Sequence, residues 1–300
     1  MMKKSKYQGT KTSSFGVSKR ENHDSSQFYS RKLFVNLKIK DSLEYKENKI
    51  QNNLLDDVHC IDSRDMSILP NESIHLMVTS PPYNCGKEYD ENLDLNEYRQ
   101  LLTTIFEQVY AKLVVGGRVC INVANLGRNP YIPLHSYIIS DMLDIGYLMR
   151  GEIIWKKAAS AGGSTAWGSW KSATNPTLRD IHEYILVFSK DTMRRQKIDR
   201  ESTISKEDFM KFTTSLWNFP SESAKKVGHP APFPVELPYR LIQLYTFKGD
   251  VVLDPFCGSG TTCIAALKAN RHYIGFDNNP EYVELAERRI ADAVQAQKGV

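Results

Sequence analysis

The stretch Val251-Val252-Leu253-Asp254-Pro255-Phe256-Cys257-Gly258-Ser259-Gly260-Thr261-Thr262 leaves few folds open. Its apolar start is too short for a buried helix and is stopped by an acid and a proline, so it reads as a strand. Two glycines then lead directly into a helical pattern over residues 261–269. Gly258 and Gly260 let the backbone come close to a ligand between strand and helix. Tyr273-Ile274-Gly275-Phe276-Asp277 is a second strand, tipped by an acid. Asn279-Pro280 starts a helix with Tyr282, Leu285, Ala286, Ile290 and Val294 on one face. A strand–glycine turn–helix–strand unit requires a parallel sheet covered on both faces. Asp277 lies 19 residues after Gly258, a spacing that suits the ribose hydroxyls of a bound nucleoside. Position 263 is Cys where a dinucleotide fingerprint has a third glycine, which counts against a dinucleotide.

The rest of the chain repeats the pattern. Val58 to Asp62 reads as a strand ending in an acid. Ile74 to Val78 reads as a buried strand ending in Thr79-Ser80-Pro81-Pro82-Tyr83-Asn84. Each proline fixes φ and lacks an N–H, so the chain leaves the sheet in a rigid extended turn that holds a hydroxyl and an aromatic ring at the strand tip. Leu95 to Leu113 has helical spacing and stops at Gly116-Gly117. Arg118 to Val123 is a strand, Leu134 to Ile145 a helix ended by Gly146, and Gly151 to Trp155 and Glu183 to Phe188 are strands. Leu237 to Phe247 is helical. The expectation is an α/β fold with a seven-stranded, mostly parallel sheet and helices on both faces. Residues 1–50 read as a basic flexible arm with one short element near Lys32 to Ile39. Residues 51–300 read as the main domain, with segments at about 158–182 and 190–228 inserted in it. No internal repeat is visible.

Charge matters here by its distribution. Residues 1–50 carry 12 Lys and Arg against 5 Asp and Glu, and residues 150–229 carry 14 against 9. The remainder holds 13 against 21, so the formal net of +4 conceals two basic segments and an acidic body. That split is the expected footprint of a polyanion-binding face. No run of about 18 apolar residues is present, so no membrane span is expected. The lysine- and serine-rich start lacks the apolar core of a secretory signal. Five cysteines without paired spacing predict a reducing cytoplasm and neither a zinc site nor a disulfide framework.

Residues 55–300 resemble the S-adenosylmethionine-dependent amino-methyltransferases of DNA. Asp254 to Gly260 is similar to their cofactor loop, and Thr79 to Tyr83 to their (Asp/Asn/Ser)-Pro-Pro-Tyr motif. The order, catalytic motif first and cofactor motif last, resembles the circularly permuted beta group of this Rossmann-like methyltransferase fold. His229-Pro230-Ala231-Pro232-Phe233-Pro234 resembles the family's cofactor-flanking motif. The resemblance implies S-adenosyl-L-methionine as cofactor, held by Asp62, Phe233, Asp254, Phe256, Gly258, Gly260, Thr261, Thr262 and Asp277, with Asp62 receiving the adenine amine. A strand-end cap is the alternative for Asp62. It also implies Ser80, Pro81, Pro82 and Tyr83 as catalytic residues, double-stranded DNA as substrate, a cytoplasmic location, and pairing with a cognate restriction endonuclease.

An exocyclic amine is a weak nucleophile because its lone pair is delocalised into the ring. The Ser80 side chain and the Pro81 carbonyl would accept its two N–H groups and aim the lone pair at the methyl group, with orientation supplying much of the acceleration. No cysteine nucleophile in a Pro-Cys context is present, which separates the chain from carbon-5 cytosine enzymes. The target base must leave the duplex, and Tyr83 would stack on it. Trp155 would sandwich the other face, or else is a core tryptophan. Trp167, Trp170, Lys171, Asn175 and Arg179, with Arg194, Arg195 and Lys197, form the expected DNA-contacting set. In the family, Ser at the first motif position is usual for cytosine-N4 enzymes and Asp for adenine-N6 enzymes, so Ser80 points to cytosine with adenine as the rival. A DNA-binding module that has lost catalysis is the reading from another class, and the intact motifs speak against it.

Overall fold

The computed structural model describes residues 29–34, 43–84, 92–127, 129–157, 168–222 and 233–298. It divides into a unit Met1–Asp41 and a unit Ser42–Val300. In the first, Lys32–Phe34 form a single 3-10 turn, and the Tyr29 and Phe34 rings meet edge-on at 5.1 Å. The remainder of the element expected up to Ile39 lies outside the described residues.

The second unit has the order β1 (Asp57–Cys60), β2 (Ile74–Thr79), α1 (Leu95–Lys112), β3 (Leu113–Val123), α2 (Leu134–Ile145), β4 (Leu148–Lys156), β5 (His182–Ser189), α3 (Lys206–Phe212), β6 (Leu216–Asn218), α4 (Glu236–Tyr245), β7 (Val251–Asp254), α5 (Thr261–Lys268), β8 (His272–Asp277) and α6 (Pro280–Lys298). The strands form one sheet in the order β1-β8-β7-β2-β3-β5-β4-β6. All neighbours are parallel except where β5 lies antiparallel between β3 and β4. Among the described residues the sheet thus has eight strands, one more than expected. The extra one is β6, three residues at the edge, where only Trp217 is buried.

Every residue of β2, β3 and β7 is buried, as a strand covered on both faces requires. Alternation then divides the core. Met77, Leu253 and Ile274 pack with the buried faces of α1 and α2, including Leu102, Phe106, Val109, Ile138 and Met142. Leu76, Val78 and Val252 pack on the opposite face with Leu241 of α4, Ile264 of α5 and Ala286 of α6. The helices are bounded by local chemistry. Asp94 caps α1 in a capping box with Glu97, and Gly146 ends α2 in the left-handed conformation that a residue without Cβ adopts most easily. The helix expected to run to Leu113 ends at Lys112, and Gly116-Gly117 sit inside β3 instead of stopping the helix.

Two further expectations change. Residues 43–50, expected in the arm, belong to the main unit: Ile50 is buried, and Glu47 pairs with His75 at 3.0 Å and with Arg200. Arg195, expected to contact DNA, does not face solvent. Its side chain is only 3% exposed and forms a two-pronged pair with Asp250, which is fully buried. Asp250 precedes β7, so this pair lies at the amino end of the parallel strands. Arg200 joins it there, and the Asp250 carboxylate also accepts from the Phe247 N–H at 2.7 Å. Burial would raise the Asp250 carboxyl, but Arg195 and His75 hold it below the usual carboxylate range. Part of the basic charge of the middle segment is therefore neutralised inside the protein. No helix among the described residues is long and apolar enough to cross a membrane.

Removing the shared carboxylate by Asp250→Ala leaves the buried Arg195 guanidinium without its counter-ion. It is expected to lower the unfolding free energy by about 3–5 kcal/mol in a urea titration. A loss below about 0.5 kcal/mol would contradict this account of the cluster.

Candidate active site

Strand order reverses direction between β7 and β2, and their carboxyl ends lie side by side, with Leu76 opposite Val252 and Met77 opposite Leu253. A cavity of about 400 Å³ opens at this edge. Its wall includes Ser80, Pro81, Pro82 and Tyr83 from the turn after β2, and Phe256, Gly258 and Asp277 from the turns after β7 and β8. Asp62 and Phe233 complete that second side. The two motifs, about half a chain apart in sequence, thus share one cavity.

The glycine turn is built for close approach. Gly258 and Gly260 have φ of 50° and 74°, and a Cβ on Gly260 would sit 3.0 Å from the Cβ of Ala286. The Gly258 N–H donates to Asp277 Oδ2 at 2.8 Å and the Asn279 N–H to Oδ1 at 2.9 Å. Burial raises the Asp277 carboxyl, and those two hydrogen bonds oppose the rise. Asp62 lies two residues beyond β1. Arg64 holds it through Nε at 3.0 and 2.9 Å and through its own N–H at 2.9 Å, which lowers its pKa. Ser63 Oγ donates to the Pro255 carbonyl at 2.6 Å and ties the two loops together.

Four residues of the expected cofactor set stand behind this wall: Asp254, Gly260, Thr261 and Thr262 do not line the cavity. Asp254 Oδ1 accepts from Thr79 Oγ1 at 2.6 Å and from the Phe256 N–H at 3.1 Å. Thr262 Oγ1 donates to the Val78 carbonyl at 3.4 Å. These residues join the glycine turn to the Pro-Pro turn. Burial, partly opposed by the Thr79 hydrogen bond, pushes the Asp254 carboxyl up to about 6.

On the other side, Ser80 Oγ and the Tyr83 hydroxyl are 3.0 Å apart. Asn122 Nδ2 donates to the Tyr83 hydroxyl at 3.3 Å and to Glu183 Oε2 at 2.6 Å, and Glu183 also accepts from Lys157. Burial, followed by the nearby Glu183 charge, pushes the Tyr83 phenol far up, so it remains a neutral hydroxyl. Asn122, Lys157 and Glu183 line the cavity and went unnoticed in the sequence. The available signal was polarity out of place: Asn122 within Val119 to Val123, and Glu183 at the head of an apolar strand.

The expected DNA contacts divide by their position in the sheet. Trp155 is buried, stacks on Phe219 at 5.3 Å, and donates its indole N–H to the Phe219 carbonyl at 3.0 Å. It is a core residue that forms part of the cavity wall, with one ring face covered. The segment after β4 reaches the same edge as the cavity. There Gly168 pairs with Pro176, Trp170 is 64% exposed, and the Lys171 ammonium lies 5.6 Å from its ring centroid. Asn175 and Arg179 are exposed on this segment, and Trp167 lies outside the described residues. Arg194 and Lys197 follow β5. Because β5 is antiparallel, they are exposed near the amino end of β3, away from the cavity. The segment expected as an insertion from about residue 190 holds α3 and β6, and its described residues return to the cavity at Ser221 and Glu222. Among the described residues no cluster of His, Cys, Asp and Glu could hold a metal ion.

Comparison with known proteins agrees with this geometry. The family model described as DNA methylase, covering the N6 and N4 types, matches residues 74–288. The type II methyltransferase M.MjaI of Methanocaldococcus jannaschii is 31% identical over 273 residues, covering 76% of this chain and 89% of its own. TTHA0409 of Thermus thermophilus, provisionally described as a DNA modification methylase, was solved in complex with S-adenosyl-L-methionine. It superposes with a TM-score of 0.65 at 32% identity, over 79% of this chain and 94% of its own. The cytosine-N4-specific PvuII DNA methyltransferase has a TM-score of 0.62 at 22% identity, over 79% of this chain and 90% of its own, a likeness of fold.

Asp254 holds its proton more tightly folded (about 6) than unfolded (3.8). Its contribution to stability is therefore present below pH 4 and is lost as the pH rises through 6. The stability difference between Asp254→Asn and the wild type should move in the variant's favour by about 2 kcal/mol between pH 4 and pH 7. A difference independent of pH in chemical denaturation would contradict the assignment.

Proposed function

The chain belongs to the DNA methylase family, S-adenosylmethionine-dependent enzymes of the kind found in restriction–modification systems, and from that premise we propose that it methylates the exocyclic N4 amine of a cytosine flipped out of double-stranded DNA. The observation that carries this reading is Ser80, a neutral hydroxyl bonded to the Tyr83 phenol, facing the same cavity as Gly258 and Asp277.

The cavity suits S-adenosylmethionine. An acid at a strand tip, a backbone turn open to close approach, a second acid at Asp62, and the rings of Phe233 and Phe256 match a ribose, an adenine amine and a purine face. When bound, the cofactor supplies an electrophilic methyl group on a sulfonium. Asp277 and Gly258 hold the nucleoside end. Ser80 Oγ and the Pro81 carbonyl accept the two amine N–H groups, which draws the lone pair out of conjugation and points it across the cavity. Tyr83 stacks on the base, its hydroxyl fixed by Ser80 and Asn122 so that the ring cannot swing. The loop 168–182, with Trp170, Lys171, Asn175 and Arg179, contacts the duplex on the cavity side. A cognate endonuclease that cuts the same unmodified site is the partner this activity calls for.

The rival is methylation of adenine N6. Mass spectrometry of nucleosides from duplex DNA incubated with enzyme and cofactor separates the two. N4-methylcytosine is expected, and N6-methyladenine as the only product would overturn the cytosine reading. Ser80→Ala is expected to lower kcat by about 100-fold or more, the scale of a lost transition-state hydrogen-bond partner, with unchanged cofactor affinity. Asp277→Ala is expected to weaken cofactor binding by about tenfold or more in calorimetry. Unaltered affinity would remove Asp277 from the cofactor site.

A further inference from the structure

We propose that Asn122, Glu183 and Lys157 form the base-reading wall of this cavity, with Lys157 donating a hydrogen bond to the ring carbonyl of the target pyrimidine. The inference rests on the reading that a flipped cytosine occupies the cavity, and it adds what distinguishes that base from the others.

The first observation is a buried amide that fixes a carboxylate. Asn122 is 2% exposed and lines the cavity. Its amide orientation is set by Glu183: a carboxylate paired with a lysine only accepts, so the atom 2.6 Å from it must be the Nδ2 donor. Oδ1 then has no hydrogen-bond partner among the described residues. Oδ1 is itself closed off, so the part of this amide in the wall is to hold Glu183 and the Tyr83 hydroxyl through its Nδ2 donor.

The second observation is a held cation. Glu183 is 7% exposed and takes donors from Asn122 and Lys157. Lys157 reaches it from just past the end of β4, with its ammonium 5.5 Å from the Trp155 ring centroid. An ammonium has three N–H donors, so one bound to Glu183 leaves donors for a ligand. Glu183 supplies the counter-charge that makes a cation tolerable on a partly buried wall.

The wall therefore offers acceptors for the amine, Ser80 with the Pro81 carbonyl, and a donor, Lys157, which Glu183 and Asn122 hold in place. Cytosine presents an amine donor, a ring-nitrogen acceptor and a carbonyl acceptor along one edge. Adenine presents an amine and a ring-nitrogen acceptor but ends in C–H. Thymine and guanine present a carbonyl and a ring N–H where cytosine has its amine and ring nitrogen. A donor placed for the carbonyl separates cytosine from adenine, acceptors placed for the amine separate it from thymine and guanine, and a site built for a polar group rejects the analogue lacking it.

The test is a double-mutant cycle between protein and base. Steady-state kcat/KM is measured for wild type and Lys157→Met on two duplexes. One carries the target cytosine. The other carries a 2-aminopyridine C-nucleoside there, which keeps the amine and adjacent ring nitrogen and lacks the carbonyl. Lys157→Met is expected to lose about tenfold or more on cytosine. Wild type is expected to lose a similar factor on the analogue, and the variant on the analogue is expected to lose little further. Asn122→Asp, which replaces the donor that meets Glu183 by a second carboxylate, should also lower activity on cytosine. Affinity for a duplex with an abasic target and for cofactor should be unchanged in Lys157→Met, which a general phosphate contact would not allow. Independent losses for protein and base changes would overturn the inference while leaving the cytosine reading intact. A wild type that makes only N6-methyladenine would overturn that reading first.

Discussion

The hydrogen bond from Thr79 to Asp254 is the joint on which the site depends. It closes the tip of β2 onto the tip of β7, strands that are neighbours in the sheet but separated by 175 positions in the chain. Parallel strands leave their carboxyl-end turns on one edge, and the reversal of strand order between β7 and β2 leaves a crevice there. Thr79 and Asp254 sit directly beneath it. One precedes the Ser80-Pro81-Pro82-Tyr83 turn and the other precedes the glycine turn. A displacement of either strand would carry both turns out of register.

Around that joint, polarity is distributed by burial. Asp254 is sealed from solvent and pushed toward the neutral form, so it serves as a brace between turns. Asp277 and Asp62 are less enclosed and face the cavity, each with a fixed set of backbone or guanidinium donors. Opposite them, Ser80, Tyr83, Asn122, Glu183 and Lys157 form a continuous hydrogen-bonded chain reaching from the turn after β2 across β3 and β5 to the end of β4. On the proposed reading such a site performs transfer by placement: acceptors for an amine on one side, a nucleoside holder on the other, and apolar walls between.

Much of this was legible in the sequence because the strands in question are central. Strands buried on both faces appear as short apolar runs, and their ends are marked by Pro, Gly or an acid, which are the strongest punctuation a chain has. What escaped notice lacks one of those marks. β6 has three residues and an exposed Leu216, so it has no periodicity to read. α3 is seven residues long and depends on the Ser205 cap and on burial of Phe212. Arg195 read as a free cation because its partner Asp250 lies 55 positions away. Asn122 and Glu183 are 61 positions apart and become a pair only when β5 runs back against β3.

The claim at the centre of this account is that one cavity at the β2–β7 junction holds the methyl donor and presents it to the Pro-Pro turn. A crystal structure with a non-reactive S-adenosylmethionine analogue such as sinefungin measures this directly. The account predicts the ribose against Asp277, the adenine between Asp62 and Phe256, and the group that replaces the methyl sulfonium pointing toward Ser80 and Tyr83. An analogue bound elsewhere, or bound here with that group turned away from Ser80, would contradict it.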